Sequence, residues 1–242
     1  MLFRSNDARF VFNFIRRSLS YGCIAANYVS ADSSSFIDDR WCTEATDMDS
    51  GERFTIRSKV LINAAGPYAD AVNAEAEIKT EYRHLFSKGI HLIVDQITDN
   101  RRVLTFFASD GRLFFLIPMG PKTCIGTTDT QVDTPEVEVT DEDRDFVLSN
   151  CNALLDLDRP LTRDDIIAER VGVRPLAVAG EGGVADWVQL SRKHVIEIDN
   201  AKRPMSIFGG QLTACLNVGA EVAEHVAAVG VAVPDPDNLG DG

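Results

Sequence analysis

A few side chains in this sequence stand where their neighbours leave them little choice of partner. Arg174 lies inside the run VGVRPLAV, and a guanidinium in such apolar company requires an anion. That anion is either an internal carboxylate, with Glu169 a candidate, or a ligand. His91 lies in the apolar run KGIHLIVD, close to Lys88. An imidazole there suits a general base, and equally suits a satisfied core residue. Arg192, in SRKHVIEI, belongs to a polar stretch that also reads as an exposed strand end. Further on, the run SIF meets Gly209 and Gly210 and then a helix. Paired glycines at such a junction form a tight turn or let a bulky ligand lie against bare backbone. Ala64, Ala65 and Gly66, after the strand VLIN, make a second strand-to-helix junction, the kind of βα turn at which ligands sit in α/β folds. Thr127, Thr128 and Asp129 read as a strand-end turn that shapes the domain, and His84, His194 and His225 as structural.

The composition bounds what these residues can serve. The 242 residues suffice for one large domain or two small ones, with 45% hydrophobic and 25% charged residues, as in soluble globular proteins. A net charge of −13 argues against nucleic-acid binding, which needs a basic face, but not against a small anionic ligand held by a few arginines. Arginine outnumbers lysine 18 to 6, and its planar fork suits phosphate and carboxylate. The longest apolar stretch, residues 226–233, has eight residues, far short of the ~18 to 20 that span a bilayer. The first residues, MLFRSNDARF, lack the pattern of a signal peptide. Five cysteines without metal-ligand spacing read as small core hydrophobes in a reducing, cytoplasmic compartment.

The elements that must position these residues follow from periodicity. NDARFVFNFIRRSLSYG reads as a helix, capped by Asn6 or Asp7 and closed by Gly22. CIAANYVSA reads as a buried strand followed by a serine-rich loop, then by a strand pair turning at Asp49-Ser50-Gly51. The strand VLIN leads into the helix YADAVNAEA. Four β-rich runs follow, KGIHLIVD, RVLTFFAS, RLFFLIPM and KTCIGTTD, with a turn at Asp110-Gly111. The helix TDEDRDFVLSNCNALLD is capped by Thr140. Further strands are expected at 165–170, 172–178, 186–190 and 193–199, before SIF and a last helix. The expected class is α+β, with an incomplete α/β portion and a mostly antiparallel sheet. The expected parts are residues 1–80, a β-sheet domain at 81–200 with one inserted helix, a return to the first part at 201–230 and a frayed tail at 231–242.

Seven segments, VLINAAGPYAD, SKGIHLIV, GRLFFLIPMG, IGTTDT, GVRPL, SRKHVIEID and SIFGGQLTACLNVGAEVA, occur in the order and near the spacing of the FAD-dependent glycerol-3-phosphate dehydrogenases. These belong to the wider FAD-dependent oxidoreductases of the D-amino-acid-oxidase type. The resemblance covers roughly residues 5–228. It implies that residues 1–80 and 201–230 belong to an FAD-binding domain and 81–200 to a substrate domain. It implies oxidation of glycerol 3-phosphate to dihydroxyacetone phosphate, with hydride passing to flavin N5 and electrons onward to quinone. It also implies peripheral contact with the cytoplasmic face of a membrane.

Residue by residue, the resemblance makes His91 the base and Arg174 and Arg192 the holders of the substrate phosphate, with Lys88 able to assist. Gly209 and Gly210, followed by Leu212 and Thr213, fall where the family's flavin is covered, and a helix N-terminus there offers partial positive charge to the reduced ring. Ala64, Ala65 and Gly66 fall beside the FAD ribityl and phosphates. Gln211 departs from the family's lysine, and losing one charge-assisted contact costs ~1.5–3 kcal/mol of phosphate binding. This departure leaves open another hydroxy acid, an amino acid or an unphosphorylated polyol as substrate. The family's GxGxxG segment and its helical C-terminal domain are not found in this sequence. The expectation is therefore a fragment, or one part of a split flavoenzyme whose partner chain supplies the dinucleotide-binding segment.

Overall fold

The computed structural model describes residues 7–180, 193–199 and 201–232, which fall into two units, Met1–Ser58 and Lys59–Gly242. The first unit holds helix α1 (Asp7–Ser20) and an antiparallel meander of β1 (Val29–Ile37), β2 (Arg40–Asp47) and β3 (Arg53–Ser58). Gly22 closes α1 at φ +82°, its N–H donating to Leu19, as expected of a left-handed helix stop. The strand expected at 23–31 and the loop expected after it are corrected. Residues 23–28 are irregular, and the serine-rich stretch forms β1. Its serines are compatible with a strand because Ser34 and Thr43 share a hydrogen bond of 2.8 Å across the pair. Asp38 and Asp39, both at positive φ, form the two-residue turn that sets the register.

The second unit is built on a six-stranded antiparallel sheet. Its strands are β5 (Tyr82–Asp95), β6 (Leu104–Phe107), β7 (Leu113–Met119), β8 (Lys122–Gly126), β9 (Thr130–Val132) and β10 (Ala168–Ala179). They run in the order β10-β5-β8-β7-β6, with β9 also pairing β5. The two strands expected at 165–170 and 172–178 are one continuous strand, β10, which pairs with β5 along its whole length. The strand expected at 186–190 lies outside the described residues.

Alternation along β5 decides which side chains meet the core. Ile90, Leu92 and Val94 point to one face with Phe114, Leu116 and Ile125. Helix α3 (Asp141–Leu154) covers that face with Val147, Leu148 and Cys151. Thr140 caps α3 in a reciprocal box with Asp143. Gly89 and His91 fall on the other face. Cys124 and Cys151 are buried as expected, but Cys23 is exposed and Cys42 and Cys215 are half-buried.

A second, three-stranded sheet runs β11 (His194–Ile198), β12 (Pro204–Gly209), β4 (Leu61–Asn63), with β12 parallel to β4. Each parallel strand feeds a helix, β4 into α2 (Ala69–Glu75) and β12 into α4 (Cys215–Ala228). No helix among the described residues is long and apolar enough to cross a membrane.

Candidate functional site

The face of β5 and β10 opposite α3 brings two of the predicted residues together. The register sets Arg170 across from His91, Gly172 across from Gly89 and Arg174 across from Ser87. Gly89, His91, Arg170, Gly172 and Arg174, with Val171 and Val173, line a hollow of about 290 Å³. Arg174 donates from Nη2 to Thr127 Oγ1 (3.1 Å) and from Nη1 to the Thr128 carbonyl (3.4 Å), with Asp129 Oδ1 3.7 Å from Nη1. Its side chain keeps 32% of its exposure, so the fork is oriented by the 127–129 turn yet still reaches solvent. The turn read as merely shaping the domain thus aims this arginine. Asp129 is itself held, accepting from Ser87 at its carboxylate and from Arg112 at its carbonyl. Glu169, the carboxylate first suspected beside Arg174, is instead gripped by Arg144 at 2.5 and 2.9 Å.

His91 packs against Gly126, where an added Cβ would stand 3.0 Å from its ring. Burial pushes its pKa down to about 4, with the Arg174 and Arg170 charges acting in the same direction. It is therefore neutral at physiological pH. Arg170 escaped the sequence reading. The signal was present in RVGVR, where residues 170, 172 and 174 share one face of a strand, but only if the strand is read as unbroken.

Lys88 goes to the opposite face. It is buried against α3, with Nζ 2.5 Å from Asp143 Oδ2 and 3.4 Å from the Glu138 carbonyl. It is not brought together with His91 and Arg174. Arg192 lies outside the described residues.

The second group of predicted residues gathers where β12 leaves its sheet. Gly209 and Gly210 adopt φ of +64° and +90°, conformations that disfavour other residues. A Cβ on Gly209 would also stand 2.9 Å from the Lys193 carbonyl, and one on Gly210 3.2 Å from His194 Cβ. The glycines are thus required by the turn itself. His84 fixes that turn from β5, its Nε2 accepting from the Gly209 N–H at 3.1 Å. This bond places the ring proton on Nδ1, which lies 3.3 Å from Asp70 Oδ2 but is not aligned for a hydrogen bond. Burial lowers the His84 pKa, and the Asp70 charge opposes the shift.

Beyond the turn, Gln211 is exposed at the start of a short 3-10 helix, Leu212–Ala214, that runs into α4. Neither Gln211 nor Ala214 caps the helix with a side chain. The first backbone donors, on Gln211, Leu212 and Thr213, precede the bonds made by Ala214 and Cys215 and so have no acceptor within the helix. At the other junction, Asn63 shapes the backbone of Ala64, Ala65 and Gly66. Its Oδ1 accepts from the Ala65 N–H, and its Nδ2 donates to the Ala69 carbonyl and to Asn73 Oδ1. Ser206 of β12 donates to the same Asn73 oxygen, which locks the two junctions together. Among the described residues no cluster of acidic, histidine or cysteine side chains could hold a metal ion.

The model of the FAD dependent oxidoreductase family matches residues 4–197. The chain is 31% identical over 233 residues to an aerobic glycerol-3-phosphate dehydrogenase of Staphylococcus haemolyticus, covering 93% of this chain and 41% of that protein. It is 28% identical over 231 residues to the enzyme of that name from Staphylococcus epidermidis, with the same coverage. The chain thus spans about two-fifths of the length of the curated relatives it matches. Among solved structures, it is similar to the glycerol-3-phosphate dehydrogenase of Bacillus halodurans complexed with FAD. That match has a TM-score of 0.80 and 30% identity, covering 96% of this chain and 45% of that one. The L-proline dehydrogenase of P. horikoshii shares the fold at a TM-score of 0.65 and 16% identity, covering 90% of this chain and 54% of that one.

Proposed function

This chain belongs to the FAD dependent oxidoreductase family, and from that membership we propose that it is the substrate-side portion of a flavoenzyme oxidising glycerol 3-phosphate to dihydroxyacetone phosphate. The observation that carries this reading is a neutral His91 beside two arginines on one open strand face. The residues at the two junctions fit FAD. The bare Gly209-Gly210 backbone and the helix-start donors of Gln211, Leu212 and Thr213 suit the electron-rich edge of a reduced flavin. Ala64, Ala65 and Gly66 add no bulk, and space beside Gly66 is open, as a ribityl or phosphate chain requires.

A bound flavin would supply the acceptor for the hydride of the substrate's C2. The chain's own residues do the rest. Arg174 holds the phosphate, oriented by Thr127 and Thr128. The resemblance assigns Arg192 to the same phosphate. His91 takes the hydroxyl proton as the C–H bond breaks and the carbonyl forms, and burial against Gly126 keeps the ring in place. Lys88, paired with Asp143, supports the strand that carries His91. Transfer of electrons to quinone, peripheral membrane contact and a further segment supplying the dinucleotide-binding unit complete the proposal.

Gln211 favours a second reading, in which the substrate is an unphosphorylated hydroxy acid or polyol. Titration of the purified chain with FAD, followed by anaerobic addition of substrate, tests both. Saturable binding with bleaching by glycerol 3-phosphate and not by glycerol or glycerate is expected. Bound flavin that glycerate or glycerol bleaches in its place would establish the second reading.

A further inference from the structure

We propose that Arg170 is a substrate-binding residue that forms, with Arg174 and across the bare backbone of Gly172, a two-arginine clamp for the phosphate of a small phosphorylated alcohol. The inference rests on the reading of this face as the substrate site. It goes beyond that reading in assigning a residue that the resemblance does not.

The geometry comes from one strand. Residues 170, 172 and 174 of β10 share a face, three residues of strand separate the two arginines, and the one of them on that face is glycine. Directly opposite on β5 stand His91 and Gly89. Two glycines therefore face each other between the arginines, and the hollow they leave is lined by both guanidinium-bearing residues and by His91. A Cβ on Gly172 would touch nothing, so the strand itself does not require glycine there, whereas an anion approaching the backbone does.

Arg174 is already committed on one edge to Thr127 and Thr128. Among the described residues, no hydrogen bond or ion pair engages Arg170. Its charge is nevertheless felt on this face, where it adds to the downward shift of His91 and partly opposes the upward push that burial gives the Cys124 thiol. Among the described residues, the acidic side chains near the hollow are engaged elsewhere. Asp129 is engaged by Ser87 and Arg174, and Glu169 is turned to Arg144. Gln211 brings no charge to phosphate binding, and Arg170 supplies one on the strand that carries Arg174.

A clamp of this kind also couples binding to the base. A phosphate dianion between the arginines cancels the two charges that, with burial, hold the His91 imidazole neutral. The groups bearing on His91 are Arg170 and Arg174 of β10 and, on the 127–129 turn, Asp129 beside Arg174.

The test is calorimetric titration of the full chain with glycerol 3-phosphate, inorganic phosphate and glycerol, on wild type, R170Q, R170K and R174Q. The His91 imidazole is followed by NMR in the same samples. Arg170 is exposed, so its variants are expected to melt with wild type. Expected are binding of glycerol 3-phosphate weakened roughly 10- to 100-fold in R170Q, partial recovery in R170K, and an upward shift of the His91 titration on ligand binding that R170Q reduces. R170Q binding as tightly as wild type while R174Q fails would overturn the clamp and leave the site reading standing. No binding of either phosphate compound by wild type would overturn both.

Discussion

The guanidinium of Arg174 occupies the space that a side chain at Gly89 would need, since a Cβ built there stands 2.5 Å from both Nη1 and Nη2. The glycine of the KGIH segment is therefore explained by an arginine 85 positions along the chain, delivered by the antiparallel register of β5 and β10. Gly89→Ala is expected to displace the fork from Thr127 and Thr128 rather than unfold the sheet, because the obstructing atoms are the far end of a flexible side chain. On the proposed function, KM for glycerol 3-phosphate should rise about 10-fold or more, with the melting temperature little changed. Gly172→Ala, where nothing lies within 4 Å, is the control for stability and should leave the melting temperature unaltered.

Lys88 and Asp143 form a buried pair that also anchors the cap of α3, since Asp143 accepts from the Thr140 N–H at 3.0 Å. Removing one partner leaves the other charge uncompensated in the core. Lys88→Met or Asp143→Asn is expected to cost about 3–5 kcal/mol in denaturant unfolding. The double variant Lys88→Met with Asp143→Leu should recover part of that loss. A direct role for Lys88 on the phosphate predicts the contrary pattern, with affinity lost and stability kept.

These two relationships show how much was legible in the sequence. Arg174 announced itself because a charge in an apolar strand must be answered, but its answer came from residues 127–129, which only the sheet register brings near. A carboxylate five residues away looked the better partner and had been taken by Arg144. Arg170 was hidden because Gly172 made one strand look like two. The serines of β1 concealed a strand because propensity ignores a cross-strand hydrogen bond. His84 read as structural, and it is, but that it holds the Gly209 turn depends on a contact spanning 125 residues.

That contact yields its own prediction. The Gly209 N–H has a neutral His84 as its acceptor, so His84→Ala leaves a part-buried donor unsatisfied and opens a cavity beside Phe208, whose ring centroid lies 5.1 Å away. A loss of ~1–3 kcal/mol is expected from the donor alone. FAD affinity, read by flavin absorbance, should fall with it, because the turn then no longer holds the following donors in place. Unchanged FAD affinity in a folded variant would separate the turn from the cofactor.

The His91 shift fixes the sign of a pH effect. Its pKa of about 4 in the folded chain lies below the ordinary 6.5, so as pH falls the unfolded chain takes up the proton first. The stability due to this residue is therefore whole above pH 6.5 and is lost as pH falls towards 4. His84, also shifted downward by burial, acts in the same direction. His91→Gln should accordingly flatten, without abolishing, the fall in melting temperature over that window. On the proposed function the same variant removes the base, and kcat should then drop roughly 10²- to 10⁴-fold. The two readouts separate the roles. A residue that only fills the core would change the melting profile and leave the turnover of the folded protein intact, whereas a base must change both.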